Sequence, residues 1–348
     1  MQTNRGLILI MNNIKGISWL IIVLLAFSFV SCQKEEESVV ESKLHMTGTL
    51  NLNVPDYIDC SELVTISVDG VFYPDQIQYK WRIPELYEDT LLGQKLVIRM
   101  PSEQGTFTIT AMAVNPEYYS LTASKTVTLI SQEKSLVGRE FKGGQITDER
   151  DGKVYRTSYT EDLEWFAENL AWEGAGGFYE NNEALGGLFG RLYNWTEATG
   201  GVEGEGFLGG PQGVCPEGWT VPTAEDWAYL GSLLSEEEVS FFKNWPGVGE
   251  QLTVEAIFNG SKMWPISPDN AKYNKYYWNA LPTGYSLGGN TIYRELGKYG
   301  MWWSSKLKSA DQAYYRYIYF DENACGINYS NIDDIAFAVR CVRKHDTN

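Results

Sequence analysis

Short runs of alternating apolar and polar residues between residues 63 and 130 constrain the fold most strongly. The runs are LVTISVD, IQYKWRI, KLVIRM, GTFTITAMAV and SKTVTLI. Successive side chains on a strand point to opposite faces, so this period of two predicts strands with one buried face. Pro, Asp and Gly break the runs, and the pattern predicts a small antiparallel β-sandwich over residues 45–131.

Two of these runs resemble strands of a known module. IQYKWRI resembles the central strand of an immunoglobulin-like or PKD-like domain, with Trp81 as the core tryptophan, and GTFTITAMAVN resembles a late strand of that domain. Such modules usually serve as spacers or stalks. The resemblance therefore implies a spacer at the N-terminal side of the chain.

The composition changes near residue 132, where SQEKSLV (residues 132–138) is interpreted as a linker. Beyond it lie 10 of the 12 tryptophans, between Trp165 and Trp303. Glycine-bearing loops such as EGAGGFYENNEALGG separate the short apolar pieces. We expect a second, loop-rich domain over residues 139–345, in which aromatic side chains anchor irregular backbone.

An ordered set of motifs in the second domain resembles the major paralogous domain first named in Fibrobacter. The motifs are ITDERDGKVYRT (146–157), EWFAENLAW (164–172), GRLYNWTEA (190–198), VCPEGWTVPTAEDWAYL (214–230), NALPTGY (279–285), MWWSS (301–305) and AVRCVRK (338–344). The resemblance implies a fold related to C-type lectin-like and formylglycine-generating-enzyme-like domains. The expected fold class is an N-terminal all-β immunoglobulin-like sandwich followed by an α+β C-type lectin-like domain with two helices, a small sheet and long loops.

Local patterns agree with part of this expectation. Thr223 and Asp226 form a variant capping box before Trp227 and Leu230, which recur at helical spacing and predict a helix. AFAVRCV predicts a buried terminal strand. Five tryptophans are expected to fill the core: Trp195, Trp219, Trp227, Trp302 and Trp303.

The N-terminus predicts export. ISWLIIVLLAFSFV (17–30) is too short to span a bilayer comfortably, so residues 1–31 are interpreted as a signal peptide. Residues 29–32 resemble a bacterial lipobox, which implies acylation of Cys32; the alternative is a plain secreted protein cut nearby. Residues 32–44, with QKEEE near their start, resemble the export signal of Bacteroidetes-type surface lipoproteins and also fit a solvated tether. We expect a lipid-anchored protein of the outer membrane, exposed on the cell surface.

The charge of the chain excludes two kinds of partner. Removal of residues 1–31 takes away two of 28 basic and none of 45 acidic side chains, which changes the formal net charge from −17 to −19. Such a surface repels nucleic acid and anionic membranes. We therefore expect no nucleic-acid partner, and we expect membrane attachment through the lipid alone.

Histidine content disfavours the common catalytic and metal sites. The only histidines are His45 and His345, and neither lies in a patterned segment. A Ser-His-Asp triad, a Cys-His pair or a histidine-bound zinc site needs a histidine within the fold. We expect no catalytic residue, no metal and no cofactor.

The cysteines are spaced too widely for a CxxC metal or redox motif. The family pattern implies a disulfide between Cys215 and Cys341. Cys60 and Cys325 are interpreted as free thiols, with a bridge between them as the alternative. A formylglycine-generating enzyme would need a reactive cysteine pair, and neither Cys325 nor Cys341 lies in a context that resembles its active site.

Two kinds of ligand site remain open. Calcium-dependent lectins use a Trp-Asn-Asp sequence, but Ala280 follows Trp278 and Asn279 here, which leaves the acidic loops at 320–326 and 330–334 as calcium sites or solvated turns. The segment 262–285 is either a glycan platform or a loop that packs its own rings. Its candidate ligand-binding residues are Trp264, Tyr273, Tyr276, Tyr277, Trp278 and Asn279.

The sequence leads to three functional hypotheses. The first is a non-enzymatic surface lipoprotein whose second domain binds a glycan or a cell-surface protein. The second is a structural component of a surface assembly without a small-molecule ligand. The third is an enzyme of the formylglycine-generating type.

Overall fold

The structure is a computed structural model that describes residues 42–264 and 273–345. The interpretations of the signal peptide, the lipidation site Cys32 and most of the tether fall outside the described residues, as does part of the segment 262–285. Within the described ranges, no helix is long and apolar enough to cross a membrane.

Residues 44–130 form ten strands that pair only with one another among the described residues. They are β1 Leu44–His45, β2 Thr47–Asn53, β3 Tyr57–Asp59, β4 Leu63–Tyr73, β5 Gln78–Arg82, β6 Leu91–Leu92, β7 Lys95–Arg99, β8 Gly105–Val114, β9 Tyr118–Tyr119 and β10 Leu121–Ile130. One sheet has the order β3-β10-β8-β5-β6, a second has the order β2-β4-β7, and β1 pairs with β9.

The two larger sheets enclose one apolar core. On β8, Phe107, Ile109 and Ala111 are buried at alternate positions, as the period of two predicts. Trp81 is fully buried, and its Nε1 donates a hydrogen bond to the Gly93 carbonyl at 2.7 Å. The all-β arrangement agrees with the sequence, while the immunoglobulin-like or PKD-like assignment stays a prediction.

Fifteen further strands follow from residue 136 to residue 344. They are β11 Leu136–Val137, β12 Gln145–Thr147, β13 Val154–Tyr159, β14 Leu163–Phe166, β15 Gly177–Phe178, β16 Arg191–Asn194, β17 Ile257–Phe258, β18 Ser261–Lys262, β19 Thr283–Leu287, β20 Ile292–Leu296, β21 Tyr299–Ser309, β22 Gln312–Tyr319, β23 Cys325–Asn331, β24 Ile335–Phe337 and β25 Val342–Lys344. The sheet orders are β11-β17-β18, β12-β13-β14-β25, β15-β16-β24-β19-β20 and β21-β22-β23.

The described α-helices are all short. They are α1 Glu183–Phe189, α2 Trp195–Thr199, α3 Ala224–Ser232 and α4 Val248–Leu252, and 3₁₀ turns occupy Tyr179–Asn181 and Lys275–Tyr277. Helix α3 begins at the predicted capping box: Asp226 N donates to Thr223 Oγ1 at 3.1 Å, and Thr223 N donates to Asp226 Oδ2 at 2.9 Å.

The expected α+β C-type lectin-like class is wrong, because the chain is mostly β, with 44% strand and 11% helix in several sheets. Glycines are one physical reason. Helices α1 and α2 are followed directly by Gly190 (φ 80°) and Gly200 (φ 67°), a backbone conformation that ends a helix. Another reason is that large aromatic residues lie on strands, where β-propensity favours them.

The five tryptophans expected in the core are buried, which confirms that prediction. Trp302 and Trp303 are neighbours on β21, so their rings lie on opposite faces of the strand. Trp302 belongs to one apolar cluster and Trp303 to another. Strand β21 therefore separates two cores and helps to close both.

The segment interpreted as a linker is packed between the two parts of the chain. Leu136 is buried, and Gln132 Nε2 donates to Asp59 Oδ1 at 2.6 Å and to the Ala184 carbonyl at 2.9 Å. Asn182 Nδ2 donates to the Tyr57 carbonyl at 2.7 Å. Residues 132–138 therefore do not act as a free spacer.

Candidate functional site

Half of the candidate ligand residues in the segment 262–285 are not at the surface. Trp264, Trp278 and Asn279 are buried, with exposures of 6%, 0% and 0%. The Trp278 ring packs among other rings, 5.0 Å from Trp302 and 6.0 Å from Trp227. These three residues cannot contact a ligand, because the clustering of rings that suggested a platform forms part of the core.

The Asn279 amide is fully engaged within the protein. Its Nδ2 donates to the carbonyls of Glu140 and Tyr277 at 2.8 and 2.7 Å, and its Oδ1 accepts from Asn274 Nδ2 at 3.0 Å. A buried amide in this state has little capacity left for a ligand. Asn279 therefore holds the loop in place.

The three tyrosines of that segment do reach the surface. Tyr273 is 60% exposed, and Tyr276 and Tyr277 are half-buried. Tyr276 is held by Ser158, whose hydroxyl donates to its carbonyl at 2.6 Å, and Lys142 donates to the Tyr277 hydroxyl. The three tyrosines therefore form a small aromatic patch, and the other three candidate residues of the segment do not contribute to it.

The structure forms the disulfide between Cys215 and Cys341 that the family resemblance implies, with Cα atoms 5.8 Å apart. It joins the segment before α3 to the segment before β25. Cys60 and Cys325 are free. Burial raises the pKa of the Cys325 thiol to about 11, which makes this cysteine a poor nucleophile.

The acidic loops show no metal-binding arrangement. Asn331 Oδ1 accepts from the backbone N–H groups of Asp333 and Asp334 at 2.9 Å, and Asp333 Oδ1 accepts from the Thr196 hydroxyl at 2.6 Å. Within the described residues, no group of three or more His, Cys, Asp and Glu side chains could hold a metal ion. These contacts describe a hydrogen-bonded turn.

A tyrosine-lined cleft on the sheet β21-β22-β23 is the strongest candidate site, and we call it the tyrosine cleft. It has a volume of about 440 Å³. It is lined by Tyr285, Leu287, Glu295, Tyr299, Met301, Tyr315, Tyr317, Asn328, Ile335 and Phe337.

The strand register places these rings on one face. Met301 pairs with Tyr317, and Tyr299 pairs with Tyr319, so their side chains share the face of the sheet that carries Tyr315. Tyr317 also pairs with Gly326 on β23. A Cβ at Gly326 would lie 2.2 Å from the Tyr317 ring, so only glycine leaves room for that ring.

The cleft has a buried floor and half-buried walls. Phe337 is fully buried and lies 4.3 Å from the ring of Tyr315, which is 8% exposed. The ring of Tyr299 lies 6.0 Å from that of Tyr317, and both are half-buried. Flat apolar faces therefore line the space on more than one side.

Polar groups occur at the walls and rim. Burial raises the pKa of Tyr299, Tyr315 and Tyr317, so their hydroxyls stay protonated and can donate hydrogen bonds in neutral solution. Among the described residues that line the cleft, Glu295 is the only charged one, and Lys298 Nζ lies 3.0 Å from its carboxylate.

A second cavity, of about 360 Å³, offers fewer free polar groups. Among its lining residues, Lys153 Nζ donates to the Ala171 carbonyl and to Glu173 at 2.7 Å. Glu168 accepts from Arg139 at 3.2 Å, and Asn169 Oδ1 accepts from Trp302 Nε1 at 2.9 Å. Its polar side chains therefore serve the fold, and the tyrosine cleft is better suited to bind a ligand.

The sequence contains one local signal for the tyrosine cleft. In AYYRYIYF, Tyr315, Tyr317 and Tyr319 recur with a period of two, which predicts one aromatic face on a strand. The intervening Arg316 and Ile318 are buried on the other face. The partners on β19, β21 and β24 could not be recognised without the strand pairing.

Comparison with known proteins gives one family. The family model described as the Fibrobacter succinogenes major domain (Fib_succ_major) matches residues 149–343, which is more than half of the chain and includes every residue of the tyrosine cleft. A search of curated proteins finds no match to the chain. The chain belongs to the Fibrobacter succinogenes major domain family.

Proposed function

We propose that this protein is a lipid-anchored, surface-exposed binding protein whose tyrosine cleft takes up a neutral glycan. The observation that carries the proposal is the placement of Tyr299, Tyr315 and Tyr317 around one cleft of about 440 Å³. Sugar rings present apolar C–H faces that pack on aromatic rings, and their hydroxyls need hydrogen-bond donors and acceptors. Tyrosine supplies both.

The charge of the cleft supports a neutral ligand. Glu295 contributes a carboxylate that can accept hydrogen bonds from sugar hydroxyls, and Asn328 contributes an amide at the mouth. Lys298 already pairs with this carboxylate at 3.0 Å, so the described residues that line the cleft offer no cation to a uronate or a sulfated sugar. The high negative charge of the whole chain also disfavours an anionic glycan.

A binding role without catalysis is part of the proposal. The two histidines are engaged in packing: His345 stacks on Tyr159 with ring centroids 4.4 Å apart, and His45 lies 5.1 Å from the Tyr119 ring.

Lipid anchoring at Cys32 and exposure on the outer membrane rest on the lipobox resemblance and on the acidic residues that follow it.

The test is a polysaccharide-binding screen with a soluble chain from residue 33, which lacks Cys32, in the presence of calcium and again with chelator. We expect binding to neutral glycans that chelator does not abolish. Tyr317→Ala should weaken it by about 2 kcal/mol, or roughly 30-fold, as at a buried contact residue. Tyr329→Ala is the matched control, because Tyr329 pairs with Tyr314 and lies on the other face of the same sheet.

Other results would reject the proposal in different ways. Binding that chelator abolishes would direct attention to the acidic loops at 320–334. Loss of binding in the Tyr273→Ala, Tyr276→Ala and Tyr277→Ala variants, with no effect of Tyr317→Ala, would favour the surface patch of segment 262–285. Absence of glycan binding together with co-purification of a stoichiometric protein would favour a component of a surface assembly.

A further inference from the structure

Exposed apolar side chains gather at the end of the sandwich where the described chain begins. Leu44, Phe72, Tyr73 and Tyr119 are 57%, 77%, 52% and 50% exposed. We call these four residues the aromatic end. Single exposed apolar residues are common on proteins, but several large ones at one end of a domain indicate an interaction surface.

Strand pairing places the four residues at one end of the sandwich, with Phe72 and Tyr73 on opposite faces of β4. In the pairing of β1 with β9, Leu44 lies opposite Tyr118, whose ring lies 5.8 Å from that of Tyr73. The adjacent pair sets His45 opposite Tyr119. Phe72 lies beside Gly48, where an added Cβ would meet the Phe72 ring at 3.0 Å. The Phe72 side chain is 77% exposed and projects into solvent.

The position of the aromatic end along the chain indicates what it meets. Leu44 lies 12 residues after Cys32. A chain of that length spans at most about 43 Å. A lipid at Cys32 therefore keeps the aromatic end at a high effective concentration next to the bilayer.

We propose that the aromatic end docks on the lipid headgroup region of the membrane that holds the anchor, and so orients the protein. This inference rests on the lipid anchor of the proposed function and does not involve the tyrosine cleft. Tyr and Phe rings are favoured at the boundary between headgroups and acyl chains. The exposed acidic side chains nearby, Asp75 and Glu117, make the contact depend on apolar burial and disfavour anionic lipid.

The test compares two labelled positions in the lipidated mature chain. A nitroxide is attached at Phe72→Cys or at Val97→Cys, both in a Cys60→Ser background, and Cys325 is buried. Val97 is a matched control: it is 64% exposed and pairs with Thr65, whereas Phe72 lies at the far end of the same strand β4. The chain is reconstituted in phosphatidylcholine vesicles, and a water-soluble nickel chelate and oxygen serve as relaxation agents.

We expect the label at position 72 to become several-fold less accessible to the nickel chelate, and more accessible to oxygen, than the same label in an unlipidated chain from residue 33 in buffer. The label at position 97 should not change. Phosphatidylglycerol in the vesicles should reduce the effect. Equal solvent accessibility at both positions in vesicles would overturn the inference.

Two further outcomes would also overturn it. Shielding of position 72 in the unlipidated chain without vesicles would mean that a second copy of the chain covers the aromatic end. A mass spectrum without acyl groups on Cys32 would remove the anchor on which the docking depends. Neither outcome bears on glycan binding by the tyrosine cleft, so the two proposals fail separately.

Discussion

At the scale of single residues, Arg340 joins three segments of the core. Its guanidinium is buried and donates to Asn169 Oδ1 at 2.8 Å and to the carbonyls of Phe166, Trp278 and Asn279 at 3.0, 2.5 and 2.9 Å. Burial lowers its pKa to about 9, so the side chain keeps its charge at neutral pH. Only the rigid five-donor fork of arginine can serve these acceptors together.

Arg340→Met should therefore destabilise the protein by roughly 3 kcal/mol, because it leaves several buried acceptors without donors. Arg294→Met is the control, since Arg294 is exposed and donates only to its neighbour's carbonyl among the described contacts. We expect that control to stay within about 0.5 kcal/mol of the original protein. Chemical denaturation measures both changes, and equal losses would contradict the central role of Arg340.

The free thiols should differ in reactivity. Burial raises the pKa of Cys325 to about 11, and burial followed by the neighbouring Asp59 and Glu103 raises that of half-buried Cys60. The thiolate is the reactive form, so Cys60 should react slowly in the native protein and Cys325 should not react until the protein unfolds. Thiol counting with an aromatic disulfide, on the chain from residue 33 and therefore without Cys32, should give one group in buffer and two in denaturant. Two groups in the native state would contradict the burial of Cys325.

At the scale of elements, the sequence predicts the strands and helices that a short stretch of sequence is enough to recognise. The period of two predicts β8 and its neighbours, and the capping box at Thr223 predicts α3. For segment 262–285 the sequence leaves two interpretations open, because a cluster of rings looks the same in sequence whether it packs inward or outward. The tyrosine cleft was missed because its walls come from strands far apart in sequence, which only the sheet register brings together.

The turn between β12 and β13 gives a prediction of pH dependence. Burial alone would raise the pKa of Asp148, but Arg150 donates to its carboxylate at 2.8 and 2.7 Å and holds that pKa below its ordinary value. A folded-state pKa below the unfolded value means that ionised Asp148 stabilises the fold above about pH 4. That contribution is lost as the pH falls through the folded-state pKa.

Arg150→Met should therefore cost about 2 kcal/mol at pH 7, and the cost should shrink as the pH falls below about 4. Part of it should persist, because Arg150 also donates to the Val214 carbonyl at 2.8 Å. Lys134→Met is the control, because Lys134 and Glu103 form an exposed ion pair at 3.4 Å. Urea titrations at several pH values measure the difference, and a pH-independent cost would rule out the Asp148 contribution.

At the scale of the whole molecule, hydrogen bonds and ring contacts link the β-sandwich to the second part of the chain. Gln132 donates to Asp59 in the sandwich and to the Ala184 carbonyl in the second part, and Asn182 donates to the Tyr57 carbonyl. The Tyr57 ring lies 6.2 Å from Phe258. Because these hydrogen bonds and this ring contact link the sandwich to the second part of the chain, we expect the two to unfold as one cooperative unit.

Calorimetry should therefore give a van't Hoff enthalpy equal to the calorimetric enthalpy. In the double variant Gln132→Glu and Asn182→Asp, the ratio of the van't Hoff enthalpy to the calorimetric enthalpy should fall below one. Both changes remove amide donors at the boundary. Asp at position 182 keeps the acceptor that caps α1 through Leu185 N, so the helix is preserved. Gln212→Glu is the control, since Gln212 donates to the Cys215 carbonyl away from the boundary. Two separate transitions in the original protein would contradict this prediction. They would show that the β-sandwich and the second part of the chain unfold independently.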